Sequence, residues 1–417
     1  MPRPDAPRLL LLLPTATYRT AAFVEAARRM DVALTVASER PSTFEAANPA
    51  GLLTLDLSSP ERAVEQAAAF GREHPLQGVV GVDDDTAVVA AGIGTALGLR
   101  GHPLPAALAA RDKREQRVML AAAGVPVPRF AEHRIDEDPQ LIAARAAYPC
   151  VLKPERLSAS RGVIRANTPA QCVAAFQRLE RILAQPDVAS CGEPARRVLV
   201  EDFVPGPEVA LEGLVVEGRL HALALFDKPD PLDGPFFEET IYVTPSRLPP
   251  AAQAAIAGCA QAAVAALGLR EGPVHAELRF NDRGPWLIEL AARPIGGRCG
   301  AALRFGNGVP LEEIIIRHAL GLPIHSLERE HQASGVMMVP VPRAGVLREV
   351  RGVAAAKAVP LVEEVAITAH PGETLVPWPE GSRYPGFIFA RGETAAAVEA
   401  ALRAAHRQLQ FVVEATD

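Results

Sequence analysis

Two acidic residues, Glu277 and Glu289, lie at a spacing that could hold a divalent cation. Val274–Phe280 and Pro285–Ala291 alternate apolar and polar residues, as half-buried strands do, and Asp282–Gly284 between them has turn chemistry. Folded as a hairpin, this segment places Glu277 opposite Glu289. Like charges directly across a strand pair are destabilising unless a positive charge lies between them. Carboxylate oxygens in that arrangement suit Mg²⁺ bound to substrate phosphates.

The predicted hairpin has one apolar face and one polar face. The apolar face would join a core, and it carries Ala276, Leu278, Phe280, Trp286, Ile288 and Leu290. The polar face carries His275, Glu277, Arg279 and Glu289, with Arg293 on the same side if the second strand continues. A surface cluster in which Arg279 or Arg293 neutralises the acids explains the same pattern, so the hairpin alone does not decide between a metal site and salt bridges. His275 either faces a cleft or is an ordinary strand histidine.

A second chemical segment is Val151–Val163, which reads VLKPERLSASRGV. An apolar strand delivers Lys153, and a loop of small residues, Ser158–Gly162, follows it. Small residues let backbone N–H groups approach anionic oxygens closely, which is how phosphates are bound. A plain hairpin loop would have a similar composition, and the segment is not a Walker A motif.

A third segment, Val198–Gly218, contains an apolar strand that ends at Glu201 and crosses Val204–Gly206 into a further strand near Glu208. Such a linker can present backbone N–H and C=O groups to the edge of an adenine ring. A crossover between domains with no ligand would use similar residues, so this segment alone is a weak signal.

Composition limits the class of protein. The chain has 417 residues, of which 49% are hydrophobic and 22% charged, so a globular protein of two to four packed lobes is expected. The net charge is −6 and no long Lys/Arg run occurs, which argues against a nucleic-acid partner. The Leu9–Leu13 run is too short for a signal peptide or a membrane span. Five scattered cysteines without a CxxC pair indicate reduced thiols, and hence a soluble, cytoplasmic protein.

The first hundred residues alternate short apolar runs with helical segments, which predicts parallel βαβ units in a doubly wound lobe. No GxGxxG motif occurs in this lobe, so a dinucleotide role is not expected. Asp83–Asp85 would cap a helix, or less simply would contact a substrate at the carboxyl end of a strand. The predicted strands are Leu9–Leu13, Val32–Val36 and Gly78–Val82, and the helices are Thr20–Arg29, Glu61–Phe70 and Thr86–Leu97.

Later segments predict a mixed α+β architecture. A helix is expected over Arg111–Ala123, and from Gln332 the tail is expected to form a separate small lobe. The remaining predictions are strands at Tyr148–Lys153 and Arg197–Val200, a hairpin over Ala210–Leu225 that turns at Glu217–Gly218, and a helix over Glu393–Gln408. The expected domains are residues 1–108, 109–204, 205–330 and 331–417.

In order and spacing, the three chemical segments together resemble the ATP-grasp superfamily over roughly Leu104–Leu322. The stretches HAELRF, IELAARPIGG, PFFEETIYVTP and YPGFIFARGETAAAVEAAL are further similar to its L-amino-acid ligase branch. The resemblance implies an α/β plus α+β fold: an ATP-grasp fold with an N-terminal doubly wound lobe and a small C-terminal α+β lobe. One departure is that the Asn common between the second acid and the arginine is absent at Leu290–Ala292, which leaves two-metal coordination open.

The resemblance also implies roles for individual residues, with ATP bound between two α+β lobes. The residues implied to bind ATP are Lys113, Lys153, Ser158, Ser160, Arg161, Gly162, Glu201, Phe203, Val204 and Glu208. Glu277 and Glu289 match the acids that bind Mg²⁺, with Mn²⁺ as a second option, and Arg293 and Lys153 match catalytic residues. The residues implied to meet the substrates are Glu239, His275, Arg293, Gly296 and Gly297.

The implied activity is an ATP-dependent carboxylate–amine ligase that forms an acyl phosphate and releases ADP and phosphate. Small-molecule carboxylate and amine substrates, one of them an amino acid, and a homodimer are expected, with no membrane partner. A biotin-carboxylase-like enzyme that forms carboxyphosphate shares the same ATP machinery. A non-catalytic nucleotide-binding module is a third reading, although it has no need of a full phosphoryl-transfer set.

Overall fold

The N-terminal lobe contains a parallel sheet of four strands in the order β3-β2-β1-β4. The computed structural model describes residue 3 and residues 6–15, 17–189 and 192–415. Leu9–Leu12 are fully buried because helices cover both faces of the sheet. The three predicted strands and three predicted helices of this lobe are confirmed, and strand β3 was not predicted. The elements are β1 (Arg8–Leu12), α1 (Thr20–Arg29), β2 (Ala33–Ser38), β3 (Leu52–Thr54), α2 (Pro60–Glu73), β4 (Gly78–Gly81) and α3 (Asp84–Leu97).

The helix predicted over Arg111–Ala123 is confirmed as α5 (Lys113–Ala122), and a shorter helix that was not predicted, α4 (Leu104–Arg111), precedes it. Asp112 between them has an extended backbone, and its side chain accepts a hydrogen bond from the Glu115 N–H. An Asp at this position caps the second helix and separates it from the first. The domain boundary expected at residues 108/109 therefore falls inside α4.

The middle lobe, residues 130–202, is an antiparallel sheet of four strands in the order β5-β8-β6-β7. Phe176 and Leu179 of its long helix are buried against this sheet. Both strands predicted here are confirmed. The elements are β5 (Phe130–Arg134), α6 (Pro139–Arg145), β6 (Cys150–Pro154), β7 (Ile164–Ala166), α7 (Pro169–Leu183), α8 (Pro186–Ala189), a 3₁₀ turn (Glu193–Arg196) and β8 (Arg197–Asp202).

A large antiparallel sheet of eight strands forms the rest of the protein, in the order β13-β12-β9-β10-β11-β16-β20-β18. The predicted hairpin over Ala210–Leu225 is confirmed as β9–β10. The elements before residue 330 are β9 (Glu208–Val216), β10 (Arg219–Asp227), β11 (Ile241–Thr244), α9 (Pro250–Leu267), β12 (Gly272–Asn281), β13 (Gly284–Ala291), a 3₁₀ turn (Cys299–Ala302), β14 (Arg304–Phe305), β15 (Val309–Pro310) and α10 (Leu311–Ala319).

The tail is not structurally separate, contrary to expectation, because strand β16 pairs with β11 and carries the large sheet across residues 330/331. Three other tail strands form a small sheet of their own in the order β19-β17-β21, and the predicted last helix is confirmed. The elements are β16 (Ala333–Met338), β17 (Gly345–Arg351), α11 (Val353–Lys357), β18 (Val362–Ile367), β19 (Thr374–Leu375), β20 (Gly386–Gly392), α12 (Ala395–His406) and β21 (Gln410–Glu414).

The predicted hairpin over Val274–Ala291 is confirmed as β12–β13, with Glu277 opposite Glu289. A β-bulge next to this pair shifts the register, so that Leu278 lies opposite Leu287. Leu287 therefore takes the buried position, whereas Ile288, which was expected in the core, is only half-buried. Trp286 is likewise half-buried, with the Arg283 guanidinium 4.8 Å from its ring centre.

Among the described residues, one helix, α9, is long and apolar enough to cross a membrane, with a mean hydropathy of 1.3. Ile256, Ala263 and Val264 of this helix are buried in the core that also contains the large sheet. This packing accounts for its apolar composition without a membrane.

Four of the cysteines, Cys150, Cys172, Cys259 and Cys299, are buried free thiols, as expected. Cys191 lies outside the described residues.

Candidate functional site

Two adjoining cavities lie between the lobes. The larger cavity has a volume of about 250 Å³ and lies between the carboxyl ends of β1 and β4 and the polar face of the hairpin. The smaller cavity, of about 70 Å³, lies between the middle lobe and the large sheet. Ser158–Ser160, Glu277 and Glu289 line both cavities, so the predicted acid pair and small-residue loop lie at the junction.

The smaller cavity combines apolar walls with two lysines. Val151, Val163, Leu232, Phe237 and Ile288 line it, and the bulge in β13 is what turns Ile288 toward it. An apolar slot of this kind suits a planar base, and cations at its inner end suit phosphates. Eight residues implied to bind ATP also line it: Lys113, Lys153, Ser158, Ser160, Glu201, Phe203, Val204 and Glu208.

The two lysines of the smaller cavity are held by buried partners. Lys113 Nζ donates to the Leu157 carbonyl oxygen at 2.9 Å and lies 3.3 Å from Glu289 Oε1. Lys153 Nζ lies 2.8 Å from Glu201 Oε2, and Arg117 Nε donates to Glu201 Oε1 at 2.6 Å. Burial raises the pKa of Glu201, but Arg117 and Lys153 outweigh it and lower that pKa to about 2. The Glu201 carboxylate thus positions Lys153.

An acidic cluster lies where the smaller cavity opens toward the larger one. Carboxylate oxygens of Glu208, Glu239 and Glu277 lie within 4.8 Å of one another. Lys228 Nζ lies among them, 2.8 Å from Glu208 and 3.4 Å from Glu277, and it also donates to Glu239. This lysine is buried and was not predicted. Burial lowers its pKa, but the three carboxylates outweigh that effect and the net pKa is raised.

Glu208 was implied to meet a ribose, yet both of its oxygens have protein partners. Lys228 Nζ donates to one carboxylate oxygen of Glu208, and Arg279 Nε donates to the other at 2.9 Å. Arg279 also donates to the Val204 carbonyl oxygen at 2.9 Å. Arg279 therefore neutralises Glu208. It does not neutralise the Glu277–Glu289 pair, as the alternative of a surface salt-bridge cluster would require.

His275 and Glu212 form a second buried polar pair at the base of the larger cavity. His275 Nδ1 lies 3.3 Å from Glu212, and its Nε2 lies 3.5 Å from Glu277. Burial lowers the pKa of His275, but hydrogen bonds to Glu212 and Glu277 outweigh it and the net pKa is raised. Glu212 also accepts from the Ile295 N–H at 3.0 and 3.1 Å, which anchors the chain after Arg293. His275 thus faces the cavity.

The predicted metal ligands, Glu277 and Glu289, fit a divalent cation by the chemistry of their donor set. Both present carboxylate oxygens to the cavity junction, and hard oxygen donors are what Mg²⁺ prefers. The tighter cluster of Glu208, Glu239 and Glu277 is closed by Lys228, whose ammonium already balances its charge. The Glu277–Glu289 assignment stays a prediction.

Arg293 lies in the larger cavity and forms a two-pronged ion pair with Asp84, at 3.0 and 3.3 Å. Asp83 caps helix α3 through a capping box with Thr86, as expected. Asp84, in the next position, also accepts a hydrogen bond from Ser158 Oγ at 2.8 Å. Asp84 thus contacts an arginine and the loop. The contact of this acidic run with a substrate, which was the second option from the sequence, stays a prediction.

The loop Ser158–Gly162 is only partly as predicted. Arg161 and Gly162 do not line either cavity: Arg161 Nε donates to the Glu380 carbonyl oxygen at 2.9 Å, and the Gly162 N–H donates to that of Pro379 at 2.9 Å. Gly162 has φ +73°, and a Cβ there would lie 2.7 Å from Pro154 Cγ. These two residues shape the loop and fasten it to the tail.

The four remaining substrate candidates all line the larger cavity: Glu239, His275, Gly296 and Gly297. Burial raises the pKa of Glu239 to about 7, even though Lys228 acts to lower it. Residues that sequence reasoning missed line the same cavity, namely Arg19, Tyr18, Tyr242 and Tyr384. Lys228 could have been found by extending the β9–β10 register to Glu208. Tyr242 and Tyr384 lie within the stretches PFFEETIYVTP and YPGFIFARGETAAAVEAAL and could have been found there, whereas Tyr18 and Arg19 belong to no motif.

Three family models match the chain. An ATP-grasp N-terminal domain matches residues 24–101, an ATP-grasp domain matches residues 146–302, and the L-amino acid ligase C-terminal domain 2 matches residues 337–414. The structure is similar to the crystal structure of L-amino acid ligase from Bacillus licheniformis, with a TM-score of 0.79. The two chains are 25% identical, and the match covers 98% of this chain and 99% of that one.

Curated relatives agree with this match. Alanine–anticapsin ligase of Bacillus subtilis strain 168 is 30% identical over 233 residues, which are 53% of this chain and 49% of that protein. Dapdiamide A synthase of Enterobacter agglomerans is 32% identical over 192 residues, which are 45% of this chain and 43% of that protein. The chain thus spans about half the length of these two relatives.

Fold, site and matches together define an ATP-grasp protein, and the predicted fold class is confirmed. Its tail matches the L-amino acid ligase C-terminal domain 2, and its fold is similar to that of an L-amino acid ligase, so the chain belongs to that branch of the ATP-grasp superfamily. It is an ATP-dependent ligase that forms C–N bonds between a carboxylate and an amine.

Proposed function

We propose that this ligase activates an amino-acid carboxylate as an acyl phosphate and transfers the acyl group to an amine, releasing ADP and phosphate. The observation that supports this most is the meeting of the two cavities at Glu277 and Glu289. A nucleotide in the smaller cavity would direct its terminal phosphate toward a carboxylate in the larger one. This is the geometry that phosphoryl transfer between two bound substrates needs.

In this proposal the smaller cavity holds ATP, with the base against its apolar walls and the phosphates near Lys113 and Lys153. Glu201 holds Lys153 in place, so the ammonium is pre-organised before the nucleotide arrives. Backbone N–H groups of Ser158–Ser160 would approach the phosphates.

Mg²⁺, with Mn²⁺ as a second option, would be held by Glu277 and Glu289 and would neutralise negative charge on the phosphates. Lys113 lies 3.3 Å from Glu289 and would stay beside it, adding a second positive charge. Arg293 would stabilise charge on the transferred phosphoryl group and on the tetrahedral intermediate. Its ion pair with Asp84 fixes the guanidinium plane in the cavity.

Exclusion of water is the other requirement, because an acyl phosphate hydrolyses readily. The loop at Ser158–Ser160 covers the junction and is held by Asp84 from the N-terminal lobe and by the tail. A loop fastened from two sides can shield the intermediate and still open for product release.

We assign Glu239 to the ammonium group of the amino-acid substrate. Lys228 already donates to this carboxylate, so the substrate ammonium would share it with an internal lysine. Replacing Glu239 with Gln should raise the KM for the amino acid and leave the KM for ATP little changed. A des-amino analogue of the same acid should show no such rise, because it has no ammonium to lose.

The test of the reaction is a screen of amino acids for release of ADP and phosphate, with ¹⁸O in the carboxylate of the active acid. An acyl phosphate transfers one ¹⁸O atom to the released phosphate. AMP and pyrophosphate as nucleotide products, or phosphate without ¹⁸O, would overturn the mechanism. ATP turnover that depends on bicarbonate would favour the carboxyphosphate alternative, and nucleotide binding without turnover would favour a binding module.

We further propose a cytoplasmic homodimer. Phe44 and Leu141 are exposed by 71% and 57%, so partner contacts should be sought first at these apolar side chains. Sedimentation velocity of the full chain at micromolar concentration gives the stoichiometry, and a monomer peak there would contradict the dimer.

A further inference from the structure

A second arginine, Arg19, lies in the larger cavity beside Arg293. It lines the larger cavity but not the smaller one, which places it on the substrate side of the site. Arg19 Nη2 donates to the Pro294 carbonyl oxygen at 3.0 Å, and Arg293 Nη1 donates to the same oxygen at 3.1 Å. One carbonyl oxygen therefore holds two guanidinium groups side by side.

The two guanidinium groups differ in how their charge is balanced. Arg293 has its two-pronged ion pair with Asp84. For Arg19, no carboxylate in the described part of the chain lies within ion-pair distance. Glu212, the nearest acid on the large sheet, is engaged by His275 and by the Ile295 N–H.

The surroundings of Arg19 compensate its charge only in part. Burial and the charge of Arg293 lower the pKa of Arg19 to about 10, and Glu212 and Glu312 only partly oppose them. Helix α1, which begins directly after Arg19, has no capping side chain and no acidic residue in its first turn. The partial positive charge of a helix N-terminus adds to the guanidinium charge. A half-buried, nearly unpaired guanidinium with free donors at a cavity wall is a binding site for a planar anion.

The larger cavity is also lined by two acids, Glu239 and Glu277, whose ion pairs in the described structure are with Lys228 and His275 and not with Arg19. The reacting carboxylate must lie near Glu277, since this residue is also at the junction with the smaller cavity. A second carboxylate, one that does not react, would find its counter-charge at Arg19.

We propose that Arg19 binds the free carboxylate of the amine substrate, and so selects α-amino acids over simple amines or amino-acid amides as acyl acceptors. This proposal rests on the proposed ligase function. Arg19 is assigned here as a specificity-determining residue that contacts the substrate, with Arg293 left to the reacting centre.

The test compares Arg19→Gln and Arg19→Lys with the unchanged protein, using L-alanine, L-leucine and L-serine and their amides as acceptors. Arg19→Gln should raise the KM for the acids roughly tenfold or more, because a charge-assisted bidentate contact is lost. The amides and ATP should be unaffected, so the preference for acids should collapse. Arg19→Lys should restore part of the preference, since it keeps the charge without the planar fork.

Arg298→Gln is the matched control. Arg298 lies four residues after Pro294, whose carbonyl oxygen holds Arg19, but it pairs with Glu364 and does not line the larger cavity. This variant should keep the preference for acids. The assignment would be overturned if Arg19→Gln lost activity with acids and amides alike, or if it kept the preference for acids unchanged.

Titration calorimetry with the same acid and amide pairs, in the presence of ADP and Mg²⁺, gives a readout that needs no turnover. Acid-selective binding that disappears in Arg19→Gln would support the role of Arg19 even if no ligation occurred, and the failure would then lie with the proposed function. Equal binding of acids and amides by the unchanged protein would overturn the role of Arg19.

Discussion

The β12–β13 hairpin and the loop Ser158–Gly162 meet at the same junction but are held in opposite ways. The hairpin has a fixed register, and its edge strand is pinned by helix α5: Gln116 exchanges two hydrogen bonds with the Leu290 backbone, at 2.7 and 3.0 Å. In the loop, Ala159 and Ser160 both have φ near +55°, a conformation that residues other than glycine seldom adopt.

The loop keeps this conformation through contacts with other lobes. Asp84 accepts from Ser158, and Trp378 Nε1 donates to the Ala159 carbonyl oxygen at 2.8 Å. In the proposed mechanism, the two acids that would hold the metal come from continuous strands. The loop that would open and close carries its own backbone strain and is held by contacts from other lobes.

The largest effect should come from the hairpin acids. Glu277→Gln and Glu289→Gln should each lower turnover by about a hundredfold or more, because transition-state charge stabilisation is lost while the fold is kept. Steady-state kinetics at several Mg²⁺ concentrations, with thermal unfolding as a check, measures this. Asp282→Asn, at the exposed tip of the same hairpin, is the control and should be unchanged. Near-normal rates in either Gln variant at modest Mg²⁺ would remove the metal assignment.

The second effect concerns Lys228, which balances the acids next to the hairpin. Lys228→Met should lower the free energy of unfolding by about 3–5 kcal/mol, because Glu208, Glu239 and Glu277 would be left buried without their shared counter-charge. Urea unfolding against Lys357→Met, an exposed lysine, measures it.

The loss of unfolding free energy in the Lys228 variant should become smaller as the pH falls. Without the lysine, the carboxyl groups have raised folded-state pKa values, so protonation favours the folded state and needs no counter-charge. A deficit that stayed constant from pH 8 to pH 5 would show that the lysine acts through packing alone.

The sequence predicted the hairpin well because its pattern is local. Alternating residues around a turn determine which side chains face each other, and the Glu277–Glu289 pair follows from that alone. The bulge does not follow, since one extra residue in one strand leaves the alternation of the other unchanged. Ile288 was therefore placed in the core, although it lines the smaller cavity.

Contacts between distant segments were the part that could not be predicted. The resemblance implied that Arg161 binds ATP, but its side chain donates to Gln185 and Asp187 of the middle lobe and to the Glu380 carbonyl oxygen of the tail. The break between α4 and α5 at Asp112 was also missed. It depends on the capping side chain of one residue, which an apolar pattern does not reveal.

The third effect is a pH dependence of the KM for the amino acid that the KM for ATP should not share. The pKa of Glu239 is raised to about 7 by burial, so this carboxyl gains its charge between pH 6 and pH 8. An ammonium binds the charged form, so the KM for the amino acid should fall by up to about tenfold across this range. Glu239→Gln should flatten the change. The pKa of Asp84 is lowered and that of Arg293 raised, so the ion pair beside the loop keeps its charges and the KM for ATP should stay constant.

The smallest effect should come from the loop, through Trp378→Phe. The ring packing against Tyr384, at 4.7 Å between ring centres, is kept, but the hydrogen bond to Ala159 is lost. One such bond contributes about 1 kcal/mol, which corresponds to about fivefold in the closed population of the loop. We expect more phosphate released per amide formed, because water reaches the acyl phosphate when the loop opens.

Trp286→Phe is the matched control, since the chain has 2 tryptophans and the Trp286 side chain donates to Asn281 of the same hairpin. Its ratio of phosphate to amide should be normal. In that variant Trp378 is the remaining tryptophan, so a fluorescence change on nucleotide binding reports the loop contact directly. If Trp378→Phe kept full coupling, and Trp286→Phe showed no nucleotide-dependent fluorescence change, the Trp378 hydrogen bond would not control the loop. The strain at Ala159 and Ser160 would then have to be held by the contact of Asp84 with Ser158 and by the tail contacts of Arg161 and Gly162.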